Sequence, residues 1–298
     1  MLATAIIAAT SLAFGTVPLF GKTLLEAGLS AEAIALYRFC LALPLALVYL
    51  PRRREALLPA SALAGAGLAN GIGWTAYLHA LEYLPVASAG VVYLSYPLFV
   101  VVLAWLLLGQ RITLRTLAGA LLVVLGAVTV NGSGTLTTEQ WPLLLTVLPA
   151  PIGFALMIVV ISRVGRRLST LERFSAICVG TVAGLLPTSL AGGIDTLLPA
   201  TAEAWIWVGA MALITATVPQ LLYMFAARAV SPGRAAAAGA VELPTMLAVG
   251  AVAFGETIGV AETIGALMVI VAVLVTPAVA PSSARIKRLP WLSAHERT

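Results

Sequence analysis

The sequence predicts an all-α polytopic membrane protein of ten transmembrane helices, arranged as two inverted five-helix repeats. Three observations carry this. Apolar runs about 20 residues long, enough to cross a bilayer core, recur along the whole chain. The gaps between them alternate in charge, and the two halves align in a single register. Composition agrees: 61% of the 298 residues are hydrophobic and only 10% are charged, against roughly 25% in soluble domains. The mean hydropathy is +1.04.

The apolar segments are 2–21, 31–50, 59–80, 86–108, 113–131, 141–161, 172–191, 204–226, 232–254 and 259–276. The first lacks a basic leader and ends near Lys22 rather than at a small-residue cleavage site, so it reads as a retained helix. Arg52, Arg53 and Arg54 follow the second segment, and Arg111 and Arg115 follow the fourth. Arg163, Arg166 and Arg167 follow the sixth, Arg228 and Arg234 flank the joint after the eighth, and Arg285, Lys287, Arg288 and Arg297 follow the tenth. The alternate gaps carry Glu26, Glu82, Glu139, Asp195, Glu203, Glu256 and Glu262, with Lys22 as the one base. The positive-inside rule then places both termini in the cytoplasm of a cell whose inner membrane holds the chain. The net charge of +5 is spread over these gaps, a topology signal rather than a nucleic-acid patch. Cys40 and Cys178 lie inside apolar runs and lack metal-ligand spacing.

A shift of 146 residues superimposes Tyr77 on Tyr223, Gly109 on Gly255, Ile112 on Ile258 and Gly119 on Gly265, and brings Pro97 within one position of Pro244. Residues 1–131 then form the first repeat, 132–140 an extracytoplasmic linker, 141–276 the second repeat, and 277–298 a basic cytoplasmic tail. Five helices per copy force the second to enter from the opposite face. Inverted repeats of this kind characterise secondary transporters, whose halves exchange conformations to give alternating access.

The residues Phe14-Gly15 through Lys22, Arg38, Tyr77 to Pro85, Pro97, Leu108-Gly109-Gln110, Tyr223, Pro244 and Phe254-Gly255-Glu256 resemble the drug/metabolite transporter superfamily, as two tandem EamA domains. Gln110 stands where that family usually has Glu. The stretch Trp74 to Leu84 resembles YddG-like exporters of aromatic amino acids. The resemblance implies an exporter of small metabolites, amino acids among them, without cofactor or metal. A passive channel or an exporter of another metabolite is the alternative.

Enzyme signatures such as HExxH and GxSxG are missing from the sequence, and no catalytic residue is predicted. Gly21-Lys22-Thr23 ends like a phosphate-binding loop, but its leading glycine is misplaced and no strand precedes it. What remains is polar groups at membrane depth, where a charge costs about 2.5–3.5 kcal/mol on insertion scales and must meet a cavity or a partner. Glu242 reads as lying near the middle of the ninth segment. Arg38 has two readings, a substrate carboxylate or packing against backbone carbonyls, and the second segment's lack of polar companions favours packing. His79 needs polar company. The predicted substrate-binding set is His79, Trp74, Tyr77, Tyr96, Gln220, Tyr223, Met224 and Glu242, around a cavity between the third, fourth, eighth and ninth segments. Pro97 and Pro244 interrupt equivalent helices and are the predicted hinges. The glycines of the third segment allow a bend, or close packing through Gly67 and Gly71. The predicted partners are a small-molecule substrate and the lipid bilayer.

Overall fold

Proline decides where these helices break. It lacks the N–H that an interior turn needs, but it suits the first turn, where that donor has no partner. The computed structural model describes residues 1–109, 112–131, 139–164, 167–191, 197–226, 229, 238–239 and 241–275. Most of the predicted linker, the tail at 277–298, and Arg111, Arg166, Arg228 and Arg234 lie outside the described residues.

All regular structure among the described residues is helical. Pro18 lies in the first turn of α2 (Val17–Glu26), which continues α1 (Leu2–Gly15) past a break at Thr16. Pro44 opens α4 (Leu43–Val48) after α3 (Ala31–Cys40). Next come α5 (Arg54–Ala80), which runs unbroken, and α6 (Val86–Tyr93). Pro97 opens α7 (Tyr96–Leu108), followed by α8 (Leu114–Asn131) and the single turn α9 (Leu143–Val147). Pro149 begins α10 (Pro149–Val164), which leads to α11 (Thr170–Ala191) and α12 (Ala202–Ala212). A π-helical stretch, Leu213–Thr217, joins α12 to α13 (Val218–Ala226), with Pro219 at its second position. Pro244 lies in the first turn of α14 (Glu242–Phe254), and α15 (Val260–Val275) is last.

Among the described residues, six helical stretches are long and apolar enough to cross a membrane: Leu2–Glu26, Arg54–Ala80, Val86–Leu108, Leu143–Arg163, Thr170–Ala191 and Ala202–Ala226. The apolar α14 and α15 are shorter. Leu106, Leu114, Leu117, Ile206, Val252 and Leu267 point outward, as a lipid-facing surface requires. Lipid offers no hydrophobic gain for helix association, so close contact must do that work. The glycines of α5 serve it. A Cβ on Gly67 would collide with the Ile177 carbonyl, one on Gly180 with the Ala64 carbonyl, and one on Gly71 would stand 2.6 Å from the Thr181 carbonyl oxygen. The Thr181 hydroxyl, released by this approach, donates to the Gly67 carbonyl at 3.0 Å. Packing rather than bending is therefore the use of these glycines.

The helices α7 and α14 are each 13 residues long and stand 146 residues apart. Each ends on a glycine in the left-handed region, Gly109 at φ 65° and Gly255 at φ 65°. There α7 and α14 terminate as Gly caps require.

Candidate functional site

A cavity of about 370 Å³ opens in the centre of the helices. Its walls come from α1 (Ser11, Phe14), α3 (Arg38, Phe39), α5 (Asn70, Trp74), Tyr93 and Tyr96, and α10 (Phe154, Met157). The π-helical stretch adds Thr215 and Thr217, α13 adds Gln220, Tyr223 and Met224, and the start of α14 adds Glu242. The floor is α11, from Thr170 and Arg173 to Cys178. The sequence placed the third, fourth, eighth and ninth segments here, with the first and sixth beside them. The contributions of α3 and α11 went unanticipated, because their cavity-facing residues are mostly apolar and look like ordinary core.

Arg38 is 3% exposed. Its Nη2 donates to the Thr215 carbonyl at 2.9 Å. In an α-helix that carbonyl would take the N–H four residues on, but residue 219 is proline and has none to give. The π-helical stretch and Pro219 thus leave an acceptor for the arginine, and non-α turns of this kind recur at functional sites. The guanidinium carbon lies 3.6 Å from the centroid of the Trp74 ring, a stacked cation–π contact. Nε and Nη1 have no hydrogen-bond partner. The packing role read from the sequence is therefore real but incomplete, since Arg38 also faces the cavity with unused donors.

Glu242 is 8% exposed and is the first residue of α14, directly after a turn at Val241. A negative charge at a helix N-terminus meets the positive end of the helix dipole, which favours a carboxylate there. Among the described residues no ion pair joins it to Arg38, although both line the cavity. The buried Thr217 hydroxyl is a further polar group without a partner on this wall.

Aromatic rings form the rest. Trp74 and Tyr93 lie 5.4 Å apart by centroids, and Tyr96 meets Phe154 edge-on at 4.9 Å. Of the predicted set, the structure brings Trp74, Tyr96, Gln220, Tyr223, Met224 and Glu242 to the cavity. Tyr77 is fully buried behind the wall, packed against Trp74 and Tyr93 at 5.5 Å, with its hydroxyl unpartnered. His79 is not brought there. Its side chain is 53% exposed, its Nδ1 stands 3.4 Å from Glu82 Oε1, and its ring meets Tyr83 edge-on. The physical reason is helical phase: α5 is one unbroken helix, so a residue five positions beyond Trp74 does not share its face.

Beyond the Trp74–Tyr77–Tyr93 cluster a second charged pair closes the structure. Lys22 Nζ lies 2.9 Å from Glu256 Oε1 and 4.9 Å from the Phe254 ring centroid. Glu256 also accepts from the Val86 N–H at 2.8 Å and the Ala87 N–H at 3.4 Å, the first amides of α6. One carboxylate thus ties α2, α6 and the end of α14 together. At the opposite end the cavity wall reaches Thr170 and Arg173, in the turn where Arg53 pairs with Glu172 at 2.8 Å.

The sequence profile of the EamA-like transporter family matches residues 1–132 and again residues 141–277. A solved structure described as a crystal structure of protein is similar over 92% of this chain and 95% of its own, with a TM-score of 0.65 at 18% identity, a likeness of fold alone. No curated protein matches the chain at a significant level.

Proposed function

The chain belongs to the EamA-like transporter family, membrane transporters of small substrates, and on that premise we propose that it is a secondary transporter exporting small metabolites by alternating access. Amino acids with aromatic or apolar side chains are the foremost candidates, and the inner membrane is the proposed location, with both termini cytoplasmic. The observation that carries this reading is a central aromatic cavity whose lining extends to Thr170 and Arg173, beside the Arg53–Glu172 pair, while the Lys22–Glu256 tie lies outside its walls. Stacking surfaces at Trp74, Tyr96 and Phe154 suit an apolar or aromatic body. The likeness of residues 74–84 to aromatic amino-acid exporters points the same way.

Ten crossings in two inverted repeats account for how the ends meet. Gln140 Nε2 donates to the Tyr83 carbonyl at 2.8 Å, Ser189 Oγ to the Glu32 carbonyl at 3.1 Å, and Lys22 meets Glu256. Ten crossings put all six of these residues on one side, and Arg53 and Glu172 on the other. Exchange of the halves also relates contacts to one another. The α1–α13 contact then answers α10–α5, while α8–α15 is related to itself. The topology is tested with cysteines at Arg54 and Ser133, which should label from opposite sides of intact cells. Labelling from one side sinks the helix count.

Transport is tested in proteoliposomes with labelled phenylalanine, leucine and methionine, with and without a proton gradient. The expected result is flux that saturates with substrate. Flux that rises linearly without saturation makes the protein a passive pore, and flux no greater than in protein-free vesicles overturns the amino-acid assignment.

A further inference from the structure

Arg38 and Glu242 line one cavity from different helices, and no direct ion pair joins them. Buried hydrogen-bonding capacity left unused is unfavourable, and a protein that sets a basic and an acidic group facing one cavity is poised for a ligand that satisfies both. We infer that the cavity binds a zwitterion, with Arg38 as the pole for its carboxylate and Glu242 as the pole for its ammonium group. This rests on the transport reading of the cavity and names the two residues that recognise the charged end of the substrate.

The geometry of Arg38 supports the assignment. The Thr215 carbonyl holds Nη2 and Trp74 backs the plane of the guanidinium, so the group is fixed before a ligand arrives. Nε and Nη1 remain as donors, and a planar guanidinium edge matches a carboxylate. Glu242 offers an acceptor for ammonium. A simple anion would satisfy Arg38 and leave Glu242 alone, and a simple amine would do the reverse. Only a molecule with both charges answers both groups, and it enters the membrane interior with no net charge. The rings of Tyr96 and Phe154 lie on the same wall and take its apolar part. The volume of about 370 Å³ falls at the small end of ligand pockets, which run from ~300 to 1,000 Å³.

The test is equilibrium binding to the purified full chain in detergent, by calorimetry, so that it does not depend on flux. The probes are phenylalanine, leucine and methionine, together with 2-phenylethylamine, which lacks the carboxylate, and 3-phenylpropionate, which lacks the ammonium. In the parent, at least one amino acid binds, and each truncated phenyl analogue binds about tenfold or more weakly than phenylalanine, the loss of one charge-assisted contact. In Arg38→Gln the advantage of phenylalanine over 2-phenylethylamine disappears. In Glu242→Gln the advantage over 3-phenylpropionate disappears. The analogue comparison in the parent requires no variant, and it decides the matter if a glutamine variant does not fold. Equal binding of phenylalanine and either analogue overturns the inference, as does a variant that keeps the parent's discrimination. Failure of all three amino acids to bind overturns it too, while flux of some other solute would leave the transport reading standing.

Discussion

Two places in this molecule set opposite charges within the helical body, and they treat them in opposite ways. At Lys22 and Glu256 the charges meet at 2.9 Å, and the carboxylate takes two further backbone amides. At Arg38 and Glu242 they face a common cavity, and two guanidinium nitrogens have no partner. The first arrangement is complete without a ligand and joins three helical segments. The second is complete only with one. The difference separates a charge that holds a conformation from a charge kept for recognition, and it lies in hydrogen-bond satisfaction rather than in residue type or depth.

The sharpest way to break this contrast is Glu256→Ala. It strands Lys22 and two helix N-terminal amides, and should cost about 2–3 kcal/mol of stability in detergent unfolding, in line with leaving charged and polar groups unsatisfied. An unaltered unfolding midpoint would mean that the tie does not hold α2, α6 and α14 together. Next in size is the double variant Pro97→Ala and Pro244→Ala. Both prolines open half-helices of equal length whose first residues, Tyr96 and Glu242, reach the cavity. If these breaks are the hinges by which the tied end opens, transport should slow about tenfold while substrate affinity stays within about twofold. Unchanged transport ends the hinge proposal.

Arg38→Gln sharpens the other side of the comparison. Removing a buried charge that lacks a full set of partners should leave the unliganded protein within about 1 kcal/mol of the parent in stability, on either side of zero. A loss as large as that of Glu256→Ala would make Arg38 a structural residue like Lys22. The smallest effect is reserved for His79→Gln. The half-exposed imidazole touches Glu82 and Tyr83 rather than the cavity. Binding and transport should stay within about twofold of the parent, a surface substitution's range. A larger change would bring His79 back to the substrate path.

The residues alone disclosed the all-helical membrane class and the places where proline interrupts the apolar runs, and six of the eight residues proposed for the site line the cavity. Each of these follows from local chemistry. Apolar length must match a bilayer, proline favours a first turn, and polar side chains at depth seek a cavity or a partner. The repeat register also pointed to α7 and α14, whose equal lengths and left-handed glycines stand 146 residues apart. Tertiary packing decided the rest. Whether His79 or Trp74 faces inward depends on how α5 is rotated against its neighbours, and Gly67 and Gly71 let it pack closely on α11. The standing of Arg38 depends on α3 meeting a carbonyl 177 residues away that Pro219 has released. The Lys22–Glu256 tie spans 234 residues. Such pairings between distant segments leave no periodicity in the chain, because they are set by how helices rotate and approach one another.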